Sequence, residues 1–192
     1  RDNTVDTKLI METLKPKAGM RIVDLGAGMG YFTFKLAPIV GDSGRIYATD
    51  SHPCAVRYLK TGALALGLTN VEVIHGYDVV SPYEKIDAFL MVNLHSIEAE
   101  IATRSFFLKT YARIHESLKP GGKVIIWNPS VRSNSIGRGE VVMQEPAELI
   151  DAMELMGFRT ARVITEFEGI TSEPDLPAFL VFEKKNFSAS AL

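Results

Sequence analysis

The stretch that decides the fold is Val23-Asp24-Leu25-Gly26-Ala27-Gly28-Met29-Gly30-Tyr31-Phe32-Thr33. Met20 to Leu25 is short and apolar, the length of a buried strand, and helical spacing starts at Tyr31. Between them, glycines alternate at positions 26, 28 and 30. Glycine reaches positive φ and lets a ligand lie against bare backbone, at an entropic cost relative to alanine. A plain strand-to-helix turn has no use for three of them, so the segment reads as a ligand-binding turn. Counting excludes two ligand classes. A dinucleotide turn, G-x-G-x-x-G, requires its third glycine at position 31 or 33, which hold Tyr31 and Thr33. A P-loop requires a Gly-Lys-Ser/Thr ending, and none follows.

Outward from this turn, strand-length apolar runs alternate with helix-length stretches. A short N-terminal helix is expected at 4–14. The helix from Tyr31 to Val40 is expected to stop at Pro38 and Gly41. Arg45 to Thr49 reads as a strand, and Pro53 to Leu66 as a helix with Ser51 as cap and Pro53 in its first turn. Val71 to His75 and Ile86 to Val92 read as strands, followed by a helix from Ile97 to Leu118. After Lys119-Pro120-Gly121-Gly122 come a strand, Lys123 to Trp127, and a helix, Pro146 to Met156. The last two strands, Arg159 to Phe167 and Ala178 to Glu183, have no helix between them. Parallel strands need crossovers, so the alternation implies a doubly wound α/β fold with helices on both faces of the sheet. The sheet should have seven strands, mostly parallel, with the last strand antiparallel after a hairpin-like connection. A single domain over 1–192 is expected, with its core at about 18–185 and a loose tail at 186–192.

Composition narrows the function classes. The 192 residues carry 21 Lys and Arg against 23 Asp and Glu, a formal charge of −2, which argues against binding that rests on a strongly basic nucleic-acid footprint. The lone cysteine, Cys54, excludes an intramolecular disulfide and a cysteine-based zinc site. No apolar run approaches membrane-span length, so no membrane partner is expected. The chain begins at Arg1, so a trimmed upstream segment is expected and the cytoplasm is the default compartment.

The pattern D-x-G-x-G-x-G at Asp24 to Gly30 resembles the first motif of the class I S-adenosylmethionine-dependent methyltransferases, a Rossmann-like family. Leu118 to Pro129, LKPGGKVIIWNP, resembles the family's turn into its fifth strand, and Pro177 to Lys185 resembles its antiparallel seventh. The resemblance runs in order from about Leu9 to Lys185. It implies S-adenosyl-L-methionine as cofactor and S-adenosyl-L-homocysteine as product. It further implies that Asp24, Gly26, Ala27, Gly28, Gly30 and Tyr31 surround the cofactor at the first turn. Asp50, ending the second strand with Ser51 beside it, stands where the family keeps an acid for the ribose hydroxyls. A carboxylate can accept both hydrogen bonds of a vicinal diol. The family often places Gly-Asp after its third strand, near the adenine amino group. Here the order is His75-Gly76-Tyr77-Asp78. Either Asp78 reaches the adenine, or Tyr77 lies beside the ring and a backbone amide makes the polar contact.

The fourth strand ends in Met91-Val92-Asn93-Leu94-His95. By the resemblance, Asn93 and Leu94 border the cofactor, and Asn93 and His95 face the acceptor as catalytic candidates. The N-x-L-H stretch is similar to that of small-molecule methyltransferases of the ubiquinone-biosynthesis type. It is unlike the [DN]-P-P-[YF] tetrapeptide of base-amino methyltransferases. A small-molecule acceptor is therefore the expected partner, with RNA or protein as the alternative and a non-catalytic cofactor-binding subunit as a third. His95 reads either as a general base for a phenol or carbon acid or as a cap of the next helix. His115, late in its helix, reads as structural where the dipole favours a cation. Tyr31 and Phe32 line the methionine end of the cofactor or pack in the core, and Trp127 walls the acceptor side. Asp87, Asn93 and Asn128 follow no metal-ligand spacing, so no metal is expected. The stretch 129–145, with Arg132 and Arg138, is either a solvated loop or a lid over an anionic acceptor. With no inserted cap domain, the site should be open, or completed by the partner subunit of a homodimer.

Overall fold

The computed structural model describes residues 5–76, 85–92, 104–128, 146–164 and 178–185. Five helices and seven strands follow in the order α1 (Val5–Leu14), β1 (Arg21–Leu25), α2 (Tyr31–Val40), β2 (Arg45–Asp50), α3 (Pro53–Ala65), β3 (Val71–His75), β4 (Ile86–Val92), α4 (Arg104–Ser117), β5 (Leu118–Asn128), α5 (Pro146–Leu155), β6 (Phe158–Ile164) and β7 (Ala178–Lys184). The sheet runs β3-β2-β1-β4-β5-β7-β6. β1 lies parallel to both β2 and β4, β2 to β3, and β4 to β5. β7 is antiparallel to both neighbours, β5 and β6. The chain thus moves outward from β1 through β2 to β3, then returns to the other side of β1. Open α/β sheets bind ligands beyond the carboxyl ends of their strands at such a reversal.

Alternation along the strands divides the core into two layers. Val23 and Leu25, Phe89 and Met91, and Val124 and Ile126 face one side, with Tyr111 and Ile114 of α4 and Met153 of α5. Ile22, Ala88 and Leu90, and Ile125 and Trp127 face the other, with Ile10 and Leu14 of α1 and Phe32, Leu36 and Val40 of α2. The central strands are buried on both faces, as covered parallel strands should be.

Several local expectations are corrected. α2 covers Tyr31–Val40 and ends at Gly41 as expected, where Gly41 N–H bonds the Ala37 carbonyl (3.1 Å), but Pro38 lies inside it rather than stopping it. Proline removes one late hydrogen bond without stopping the helix. The cap of α3 is His52, not Ser51: His52 Nδ1 accepts the Cys54 N–H at 3.2 Å, with Pro53 in the first turn. β5 begins at Leu118 rather than Lys123, because Leu118 pairs with Ile86 before the register shifts. Gly122 is required there, since a Cβ would lie 2.8 Å from Leu118 Cδ2 and 2.9 Å from the Lys119 carbonyl.

His115 has a structural place, as expected, but its helix position does not favour the charged form. Burial, then the charge of Lys184, hold its pKa below the ordinary imidazole value. Lys184 Nζ already occupies the end of α4, donating to the His115 carbonyl at 2.5 Å and the Leu118 carbonyl at 3.0 Å. The imidazole instead packs edge-on against Phe158, with ring centroids 5.0 Å apart.

Candidate cofactor site at the carboxyl ends of the first two strands

Asp24 is second to last in β1, and the glycine turn leaves the sheet directly after Leu25. The turn is anchored to β2 from two directions. The Thr49 carbonyl accepts both the Gly26 and Ala27 N–H groups at 2.9 Å, and Asp50 Oδ2 accepts the Gly28 N–H at 2.8 Å. Asp50 Oδ1 also accepts the His52 N–H at 2.8 Å. Asp50 therefore binds the turn to the start of α3 before any ligand arrives. Each carboxylate oxygen has a second lone pair, so the group retains acceptor capacity for a diol.

The glycines differ in purpose. Gly28 has φ +55°, and a Cβ built on it would meet nothing within 4 Å, so the backbone there borders open space. Gly30 has φ +78°, but a Cβ on it would lie 2.6 Å from Phe34 Cε2 and 2.8 Å from Leu59 Cδ2. Gly28 is bare toward open space, whereas Gly30 is bare because α2 and α3 pack against it. Met29, between them, is an exposed large apolar side chain.

Asp24 is buried, and its carboxylate accepts the Thr33 hydroxyl at 2.6 Å and the Thr33 backbone N–H. Gly30 precedes α2 in a left-handed conformation and offers no side-chain cap, so Asp24 satisfies an N–H of the first helical turn from the neighbouring strand. Burial pushes the Asp24 pKa up to about 6; the Thr33 hydrogen bonds oppose that rise, and the charge of Asp50 adds to it. Thr33 was not among the residues expected from the sequence. Its only signal was a polar residue in the first turn of a mostly apolar helix.

The remaining expected residues divide by location. Ser51 is half-buried, and its carbonyl accepts from His75 Nε2 at 3.0 Å, joining the ends of β2 and β3. The Tyr31 hydroxyl lies 3.1 Å from Thr7 Oγ1 on α1, and Lys35 Nζ stands 5.5 Å from the Tyr31 ring centroid. Phe32 is buried in the core, and Trp127 is buried near Phe179. Tyr77, Asp78, Asn93, Leu94 and His95, and the arginines of the 129–145 stretch, lie outside the described residues. Asp87 does not serve the site. It is the second residue of β4, at the opposite end of the sheet, where it accepts the Arg21 N–H at 2.8 Å and pairs with Lys119 Nζ at 2.7 Å. Among the described residues no cluster of His, Cys, Asp or Glu could hold a metal, and no helix is long and apolar enough to cross a membrane.

The open face of Gly28, the adjoining Asp50 carboxylate and their place at the reversal of strand order fit S-adenosylmethionine. Together with the sheet order they define the class I S-adenosylmethionine-dependent methyltransferase fold. The chain belongs to the methyltransferase-domain family, whose model matches residues 16–168.

Among curated proteins, it is 32% identical over 118 residues to a demethylmenaquinone methyltransferase of Bacillus mycoides, covering 62% of this chain and 48% of that protein. It is 29% identical over 123 residues to a protein-L-isoaspartate O-methyltransferase of Archaeoglobus fulgidus, covering 62% of this chain and 50% of that one. The chain thus spans about half the length of these two relatives. A solved methyltransferase of Aquifex aeolicus superposes with a TM-score of 0.67 at 23% identity, over 92% of this chain and 87% of that one, which supports the fold.

Proposed function

We propose that the protein transfers a methyl group from S-adenosylmethionine to a small-molecule acceptor. The observation that carries this reading is the bare, open backbone at Gly28 beside the Asp50 carboxylate. Bound cofactor supplies a methyl group on positively charged sulfur, so the chain's main task is alignment rather than activation. In this reading Gly28 gives the cofactor room, and Asp50 accepts from the ribose hydroxyls while still holding the turn. Asn93 and His95, which directly follow β4, border the acceptor, and His95 removes a proton where the acceptor is a phenol or carbon acid. The 32% identical relative, named for a small-molecule acceptor, supports that class, as does the near-neutral charge of −2.

A protein acceptor is the second reading, favoured by the 29% identical isoaspartate methyltransferase. The primary test is calorimetric titration with S-adenosylhomocysteine, with NAD run beside it. Saturable micromolar binding of the former alone is expected. Labelled methyl transfer to a panel of phenolic and carbon-acid small molecules, against an isoaspartyl peptide, then separates the two readings. Unchanged single-turnover transfer by His95→Ala would remove His95 from the proton step.

A further inference from the structure

The Asp24–Thr33 pair spans the glycine turn, one partner at the end of β1 and the other in the first turn of α2. Both side chains are buried, and their separation of 2.6 Å is that of a charge-assisted O–H to carboxylate bond. A serine or threonine hydroxyl in a helix usually bonds within its own helix; this one points across the turn instead. The helix has no side-chain cap at Gly30, so the same carboxylate also receives the Thr33 N–H. Losing the hydroxyl would leave Asp24 with its burial and the nearby charge of Asp50, both of which disfavour ionisation.

We propose that Thr33 is a positioning residue for cofactor binding. Its hydroxyl holds Asp24 as an oriented carboxylate bridging the two ends of the glycine turn, and so sets the pH below which the cofactor is released. This rests on the cofactor assignment above. An ionised, fixed Asp24 keeps the turn in register and presents negative charge beside a ligand whose amino group, and in the methyl donor whose sulfur, is positive. Among the described residues, the groups facing Asp24 from packed elements are Thr33 on α2 and Asp50 on β2. Its strand partners, Ala48 on β2 and Leu90 on β4, are uncharged.

The test measures S-adenosylhomocysteine affinity from pH 5.5 to 8.5 for the wild type, Thr33→Val and Thr33→Ser. The wild type, with Asp24 pushed up to about 6, should lose affinity by up to tenfold per pH unit as pH falls through that region. Thr33→Val should shift the inflection to higher pH, weakening binding at least threefold at pH 7 and recovering at pH 8.5. Thr33→Ser should restore the wild-type inflection. An affinity lowered by one constant factor at every pH, or an unmoved inflection, overturns the inference. Should Thr33→Val not fold, Asp24→Asn carries the test, because the inflection must then vanish. His52 and His75 are intact in these variants, so an inflection that they cause would survive and count against Asp24. Absence of binding by the wild type at every pH overturns the cofactor reading and this inference with it. Wild-type binding with an unmoved inflection overturns this inference alone.

Discussion

Replacing Asp24 with asparagine should change the pH dependence of folding in a direction opposite to that of an ordinary surface aspartate. Asp24 is fully buried, and its pKa rises from 3.8 to about 6, with burial as the main cause. A carboxyl whose folded pKa exceeds its unfolded value binds more protons in the folded state. Its contribution therefore favours the fold at low pH and is lost as pH rises through about 6. A rise of this size makes the ionised group at pH 8 destabilising by about 3 kcal/mol relative to the protonated acid. Roughly half of that, about 1–2 kcal/mol, develops between pH 5 and pH 8.

Asparagine keeps the shape and still accepts the Thr33 hydroxyl, but does not ionise. The assay is urea unfolding of the wild type and Asp24→Asn at pH 5, 6, 7 and 8. The difference between the two proteins cancels every group they share. That difference should move by about 1–2 kcal/mol in favour of Asp24→Asn as pH rises from 5 to 8. The new amide N–H2 group adds a constant offset, costing about 1–3 kcal/mol if it finds no acceptor, and leaves the slope with pH untouched. A flat difference, or one that favours the wild type as pH rises, would refute the claim that Asp24 is ionised at a cost to the fold. A buried acid kept at such a cost is a mark of a functional site.

Gly30→Ala should destabilise the fold by about 2–4 kcal/mol in thermal or urea unfolding, from overpacking and left-handed backbone strain together. Gly28→Ala has only the strain, about 1–2 kcal/mol, so it should fold yet lose most of its S-adenosylhomocysteine affinity in calorimetry. Asp50→Ala removes the acceptor for the Gly28 and His52 N–H groups, and should weaken S-adenosylhomocysteine binding at least tenfold; a change within twofold removes the assignment. Asn70→Ala removes the amide that donates to two carbonyls at the end of α2, Ala37 at 2.7 Å, which keeps the Gly41 N–H, and Gly41 at 2.9 Å, and should lower stability by about 1–3 kcal/mol without altering ligand affinity.

Much of this architecture was legible in the chain because the signals are local. Apolar runs such as Ala88 to Val92, helical spacing in Val56, Leu59 and Ala63, and the missing helix before Ala178 need only a few neighbouring residues to be read. They determined the alternation of strands and helices and the antiparallel last strand. The alternating glycines determined where the candidate ligand turn lies and which two classes of turn it is not.

Tertiary structure alone decided what each residue of that turn is for. Gly28 and Gly30 are indistinguishable in the pattern, and differ because Phe34 and Leu59 crowd one and nothing approaches the other. Asp50 holds the turn to the start of α3 through the Gly28 and His52 N–H groups, and Asp24 finds Thr33 only because β1 and α2 fold back over the glycines. Asp87, a candidate ligand by residue type, lies at the wrong end of the sheet with Lys119. Local spacing records periodicity, and therefore secondary structure. Burial, crowding and the proton affinity of a carboxylate depend on atoms that only the packed sheet brings within a few ångströms.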